Sequence, residues 1–183
     1  MMRIVILGYF LAHNLFAALA PTPIARLSRG QFHSSGFIEG GTHRAASLLD
    51  IRHFHHKSQG FERVVLDLSE PSKNSVADYL PAFQLRYFPS STQIDDKNTS
   101  HTKPAKFLLV IRSIQRNQIT EKMTQTLTKD SQFLDQIKVY PPIEDGDMAL
   151  EFILKSDVLF EAHQPRLKAG RLVLDLKKAV AIH

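Results

Sequence analysis

The sequence of 183 residues contains no cysteine. Disulfides, thiolate catalysis and zinc sites built on sulfur ligands are therefore excluded. The chain also lacks a Gly-x-Ser-x-Gly motif, with which many hydrolases present a nucleophilic serine. Other folds carry a Ser-His-Asp triad without that motif, so its absence argues against a hydrolase without excluding one. We expect a protein that is not an enzyme, and we assign it no catalytic residues and no cofactor.

A concentrated basic stripe is also missing. The formal net charge is only +5, from 23 Lys and Arg against 18 Asp and Glu. Proteins that bind nucleic acids usually gather their positive charge on one face, whereas the densest basic spots here are Lys177-Lys178 and the segment from Lys103 to Lys106. We therefore expect no nucleic-acid partner. A mildly basic chain remains compatible with anionic partners such as cell-wall polymers.

The one long apolar run lies at the N terminus. Residues 1–20 combine an early cation at Arg3, an apolar stretch over 4–19 and the small-x-small ending Ala18-Leu19-Ala20. This pattern predicts a secretory signal peptide, cleaved after Ala20; a retained membrane anchor and a buried helix are the alternatives. No later segment is apolar enough to span a bilayer. We expect a periplasmic or otherwise extracytoplasmic protein with no stable membrane span after cleavage.

Residues 21–46 are predicted to form a flexible linker between the signal peptide and a single domain over 47–179. The segment has no sustained apolar period, and it is rich in the residues that break regular structure. These are Pro21, Pro23, Gly30, Gly36, Gly40 and Gly41, with several Ser and Thr.

Apolar residues alternate with period two through much of the predicted domain. In residues 61–68, Val64, Leu66 and Leu68 share one face of a strand, whereas Arg63 and Asp67 share the other. Alternation of this kind is typical of half-buried strands. We predict strands over 61–68, 85–88, 106–112, 149–154 and 172–176.

The segments between these strands are predicted from their turn and helix signals. Gln59-Gly60 and Asp145-Gly146 are the clearest hairpin turns. Residues 90–104 are polar and predict a long exposed loop, whereas residues 120–134 predict one helix that caps an open end of the sheets. The fold class is therefore mainly β: a small antiparallel β-sandwich with one short helix, preceded by a signal peptide and a flexible tether.

Two of the predicted strands are nearly identical in sequence. Residues 63–68 (RVVLDL) and 171–176 (RLVLDL) share five of six residues. Either they occupy related places in the sandwich, with Arg and Asp outward, or two amphipathic strands simply look alike. Asp67 and Asp175 could act as a catalytic carboxylate pair only if these strands were neighbours. Their adjacent arginines favour exposed ion pairs instead.

Six segments of the predicted domain carry short strand-like motifs: Ile51-Arg52, His55-His56, residues 60–68, residues 83–87, residues 160–163 and residues 171–176. In their order and spacing they resemble the AMIN and AMIN-like domains of exported bacterial proteins, over residues 49–178. The resemblance implies a small β-sandwich without catalytic activity, found beside a cell-wall amidase or a secretin. It also implies a module that binds peptidoglycan or localises its host protein. No binding residues can be carried over, so the ligand-binding residues are left unassigned.

Two side-chain groups have alternative interpretations. His53 and His55 would share one face of a strand and could begin a divalent metal site. The sequence does not identify a third ligand, so we assign no metal site and interpret the histidines as surface or packing residues. The aromatic segment from Tyr79 to Phe88, which includes Phe83 and Tyr87, either lies in the core or exposes rings for sugars or a protein partner.

We therefore expect an exported, non-catalytic module that binds or localises to the bacterial cell envelope, with peptidoglycan as its ligand. One alternative is a protein–protein adaptor of an envelope complex that adds an exposed edge strand to a partner. The other is a periplasmic metal-binding protein that uses the histidines over 53–56.

Overall fold

A computed structural model of the chain describes residues 30–94, 100–142, 146–167 and 169–179. The predicted signal peptide over 1–20, the linker residues 21–29 and Asp145 of the second predicted turn lie outside the described residues. Among the helices of the described part, none has the length and apolar character needed to cross a membrane.

The described residues form twelve strands and one α-helix. In chain order they are β1 (Phe37–Gly40), β2 (Ala46–His56), β3 (Phe61–Ser69), β4 (Phe83–Phe88), β5 (Ser91–Ile94), β6 (Ser100–Lys103), β7 (Lys106–Ile111), β8 (Ile114–Asn117), α1 (Glu121–Asp130), β9 (Leu134–Tyr140), β10 (Met148–Leu154), β11 (Val158–His163) and β12 (Arg171–Lys178). The mainly-β prediction with one helix is confirmed, and each predicted strand lies within two residues of an observed one.

Ten of these strands form two five-stranded sheets. The first sheet has the order β1-β4-β7-β10-β9 and the second has the order β11-β12-β3-β2-β8, while β5 and β6 form a separate ribbon. Neighbouring strands are antiparallel except β2 and β8, which are parallel. One parallel pair thus interrupts an otherwise antiparallel sandwich, as predicted for the fold class. Only Arg112 and Ser113 connect β7 of the first sheet to β8 of the second.

A single apolar core includes side chains from both sheets. Leu66 of β3 and Leu174 of β12 are each 1% exposed, as their alternation predicts. The ring of Phe107 in the first sheet lies 5.0 Å from that of Phe160 in the second, in an edge-to-face arrangement. The Tyr87 ring lies 4.8 Å from Phe107 and 5.3 Å from Phe160. These three rings join the two sheets.

The predicted aromatic segment belongs mostly to this core. Tyr79, Phe83 and Tyr87 are at most 7% exposed, so an exposed aromatic surface is wrong for these three residues. Burial raises the pKa of Tyr87, whose hydroxyl donates a hydrogen bond to Asp157 Oδ1 at 2.8 Å.

The helix α1 is shorter than predicted. Thr120 is its N-cap and accepts a hydrogen bond from the backbone N–H of Met123 at 3.3 Å. Leu134, the predicted last residue, instead begins β9, because the Ser131 hydroxyl accepts the N–H of Leu134 at 2.8 Å and turns the chain. The helix contacts β9 of the first sheet and β2 of the second. It therefore lies against both sheets.

The predicted loop over 90–104 contains a β-ribbon. β5 and β6 pair antiparallel, with Thr92 opposite Thr102, and the described side chains of both strands are exposed. The predicted exposure of this segment is confirmed for the described side chains of the ribbon. The prediction of a loop without strands is wrong. Polar residues with high β propensity can pair with each other without a buried face, so no apolar alternation marks them.

The prediction of a flexible linker over 21–46 is wrong for its described residues, 30–46. β1 pairs with β4 and buries Ile38, which is 1% exposed. The backbone N–H of Thr42 then donates to the carbonyl of Leu80 at 2.9 Å. A strand of four residues with one fully buried side chain is too short to show a period of two. The glycines of this segment therefore led to the prediction of a flexible linker.

Gly41 provides a test of this correction. Its φ is +86°, and a Cβ there would overlap the backbone carbonyl oxygen of Pro81. Gly60 also has a positive φ, +67°, but has open space around it. We expect Gly41→Ala to lower the free energy of unfolding by more than about 3 kcal/mol, and Gly60→Ala by about 1 kcal/mol. Urea unfolding of both variants measures the difference; equal losses would show that Gly41 does not pack against Pro81.

Candidate functional site

Two arginine–aspartate pairs connect β3 and β12 on the outer face of the second sheet. The antiparallel register sets Arg63 opposite Asp175 and Asp67 opposite Arg171. Arg63 donates through Nε and Nη2 to the two oxygens of Asp175, each at 2.7 Å. Arg171 Nε donates to Asp67 Oδ1 at 2.6 Å. The two near-identical segments are therefore neighbours that pair with each other.

A third arginine completes this arrangement. Arg52 of β2 donates from Nη2 to the other oxygen of Asp67 at 2.5 Å. Hydrogen bonds to Asp175 raise the pKa of Arg63. Asp67 and Asp175 are 7% and 4% exposed, so the predicted ion pairs exist but are buried, because arginines of neighbouring strands enclose the carboxylates. Each carboxylate thus accepts charge-assisted hydrogen bonds from arginine on both of its oxygens.

A cleft of about 560 Å³ lies beside the pairs, where the chain leaves β11. Outward-facing side chains of three neighbouring strands, Arg63, His163 and Val173, line its floor, and residues 164–167 form its wall. Leu167 in this wall is 98% exposed, and Arg166 next to it is also exposed. The cleft combines cationic donors with one exposed apolar side chain.

A second polar cluster lies on the core-facing side of the same sheet, near the turn from β2 to β3. His53 and His55 share one face of β2, as predicted, and Glu62 of β3 lies beside both. His53 Nε2 is 3.0 Å from Glu62 Oε2, and His55 Nδ1 is 3.1 Å from Glu62 Oε1. The side chains of His53 and Glu62 are 7% and 3% exposed, against 28% for His55. His56 faces the other side and stacks on Phe61.

The turn after α1 supplies two further donors to this carboxylate. The Ser131 hydroxyl donates to Glu62 Oε2 at 2.6 Å, and the backbone N–H of Gln132 donates to Oε1 at 2.7 Å. Burial by itself would raise the pKa of Glu62, but the hydrogen bonds from Ser131, Gln132 and His53 together lower it below its ordinary value of 4.5. The carboxylate is therefore ionised at neutral pH and held in one orientation.

The sequence analysis did not identify Glu62 as the partner of these histidines. Its position carries a signal, because Glu62 lies in phase with Val64, Leu66 and Leu68 on the buried face of β3. A charge in the buried phase of a strand needs partners inside the protein. Ser131 carries no comparable signal, since only the folded chain brings the turn after α1 to this point.

Comparison with models of known protein families and with curated protein sequences gives no match for this chain.

The charge of Glu62 gives a prediction about acid stability. The pKa of Glu62 is lower in the folded chain than in the unfolded chain. Its contribution to the free energy of unfolding is therefore fully present above the ordinary pKa of 4.5 and disappears as the pH falls through the lower folded value. We expect Glu62→Gln to destabilise the protein most above pH 5, by about 1–3 kcal/mol, with a smaller difference from wild type at lower pH. Urea unfolding across this range measures it; a difference independent of pH would contradict the assignment.

The ion pair between β3 and β12 gives a second prediction. Asp175→Asn leaves the Arg63 guanidinium without its anion, and we expect a loss of up to about 3 kcal/mol in the free energy of unfolding. A double-mutant cycle with Arg63→Gln should show favourable coupling. The exposed pair of Glu70 and Lys73, at 2.9 Å, is the matched control and should show none. Equal coupling in the two cycles would mean that burial does not strengthen the pair.

Proposed function

We propose that the protein is a non-catalytic binding module of the bacterial cell envelope, exported by its N-terminal segment, with peptidoglycan as its ligand. The observation that supports this proposal is the position of the AMIN-like segments. Most of them fall on β2, β3, β11 and β12, which are four consecutive strands of the second sheet; the remaining one is β4 of the first sheet. Most of the segments that carry the resemblance therefore lie on one sheet.

The outer face of that sheet has chemistry suited to a cell-wall polymer. The cleft over this face is lined by Arg63, Arg166 and His163. Peptidoglycan carries carboxylates on its peptide stems, and a guanidinium binds a carboxylate through charge-assisted hydrogen bonds. Arg63 is committed to Asp175, so the exposed Arg166 is the side chain that we assign to ligand contact.

Sedimentation with purified peptidoglycan sacculi tests this proposal on the full chain. We expect wild-type protein to sediment with the sacculi, and Arg166→Glu to reduce the bound fraction at least about threefold by replacing attraction with repulsion. Arg112→Glu makes the same change of charge at an exposed position in the connection between β7 and β8, and it should bind like wild type.

The possible results distinguish an error in the proposed ligand from an error in the proposed binding site. Wild-type protein that stays wholly in the supernatant would remove peptidoglycan as the ligand. Equal loss of binding in both variants would mean that attraction to the polymer is general and not centred on this cleft.

A protein–protein adaptor is the second candidate function, because β9 is an edge strand of the first sheet. A cleft of about 520 Å³ between β9 and α1 runs along this edge and is lined by Gln125, Gln136 and Lys138. A partner strand could pair with β9 there. Pull-down from an envelope extract should then recover one defined protein free of wall polymer, and Lys138→Pro at the strand edge should abolish its recovery.

A further inference from the structure

We propose that His53, His55 and Glu62 bind one divalent transition-metal ion, with zinc as the best match. Each residue offers one ligand atom, and these atoms all lie within 4.8 Å of one another. Two imidazole nitrogens and one carboxylate oxygen are ligands that zinc accepts readily. This site does not depend on the proposed envelope function, and it lies on the opposite side of the sheet from the Arg166 cleft.

The distances suit a tetrahedral ion. Zinc binds nitrogen and oxygen at about 2.0–2.2 Å, so adjacent ligand atoms of a tetrahedral site lie roughly 3.4 Å apart. His53 Nε2 lies 3.0 Å from Glu62 Oε2, and His55 Nδ1 lies 3.1 Å from Glu62 Oε1. Small side-chain rotations would open these contacts enough to admit the ion, with the backbones of β2 and β3 unchanged.

The carboxylate is already prepared for a cation. The Ser131 hydroxyl and the Gln132 N–H orient Glu62 from the side of the turn after α1. Hydrogen bonds of this kind to a ligating carboxylate fix its direction and commonly contribute 10–100-fold, in rough terms, to metal affinity. Glu62 is a buried anion beside two histidines, and a bound cation would compensate its charge directly.

An ion can reach the cluster from the solvent. His55 is the most exposed of the three side chains, and a cleft of about 240 Å³ is lined by His55, Glu62 and Gln132. Three protein ligands leave a fourth position of a tetrahedral ion for water or a ligand atom. The fourth position would face this cleft.

Calorimetric titration of zinc chloride into the metal-free full chain tests the proposal. We expect one ion per chain for wild type, and a loss of affinity of at least about 100-fold for His55→Gln, which removes a ligand. His56→Gln is the matched control, because His56 is the adjacent histidine on the opposite face of β2. Its affinity should stay within about twofold of wild type. No binding by wild type, or equal losses in both variants, would overturn the proposal.

A second pair of measurements keeps the test decisive if His55→Gln does not fold by circular dichroism. Ser131→Ala retains all three ligands but removes one hydrogen bond to Glu62 Oε2, and we expect it to weaken zinc binding about 10–100-fold. Cobalt bound to wild type should show the visible d–d absorption of a tetrahedral site, and Glu62→Gln should lose it. An octahedral spectrum, or an unchanged affinity in Ser131→Ala, would contradict the site.

Discussion

In β3 and β12 an arginine stands four residues before an aspartate, and antiparallel pairing sets each arginine opposite the other strand's aspartate. The same register places Leu66 opposite Leu172 on the core side. A slip of one residue would bring leucines to the charged face and carry arginines into the core. Ion pairing and apolar burial therefore select the same register, and the second sheet is built outward from these two strands.

The position of the histidine–glutamate cluster follows from a second register, that of β2 against β3. β3 also pairs with β2, and this pairing sets His55 opposite Glu62 and His53 opposite Val64. Glu62 is buried because its phase along β3 matches that of the core residues. Its charge is tolerated because donors from β2 and from the turn after α1 surround it. The cluster thus also ties the helix end to the second sheet, so the candidate metal ligands are held by three different parts of the chain.

The strength of the sequence prediction depended on the length of each element and on what its side chains contact. β3, β10 and β12 have long alternation against a common core, and their predicted positions are confirmed. β1 buries only Ile38 fully, and the exposed β5–β6 ribbon buries none of its described side chains. Elements of that kind are stabilised by backbone pairing with a partner strand, which residue periodicity does not reveal.

The sequence by itself determined which residues face inward along the long strands, because alternation of apolar and polar side chains is a local property of the chain. It also determined that His53 and His55 share a face. Only the tertiary structure decided that Asp67 and Asp175 are buried beside arginines and that Glu62, Ser131 and His55 meet. Those contacts join residues up to 112 positions apart, and their geometry depends on which strands become neighbours and in which register.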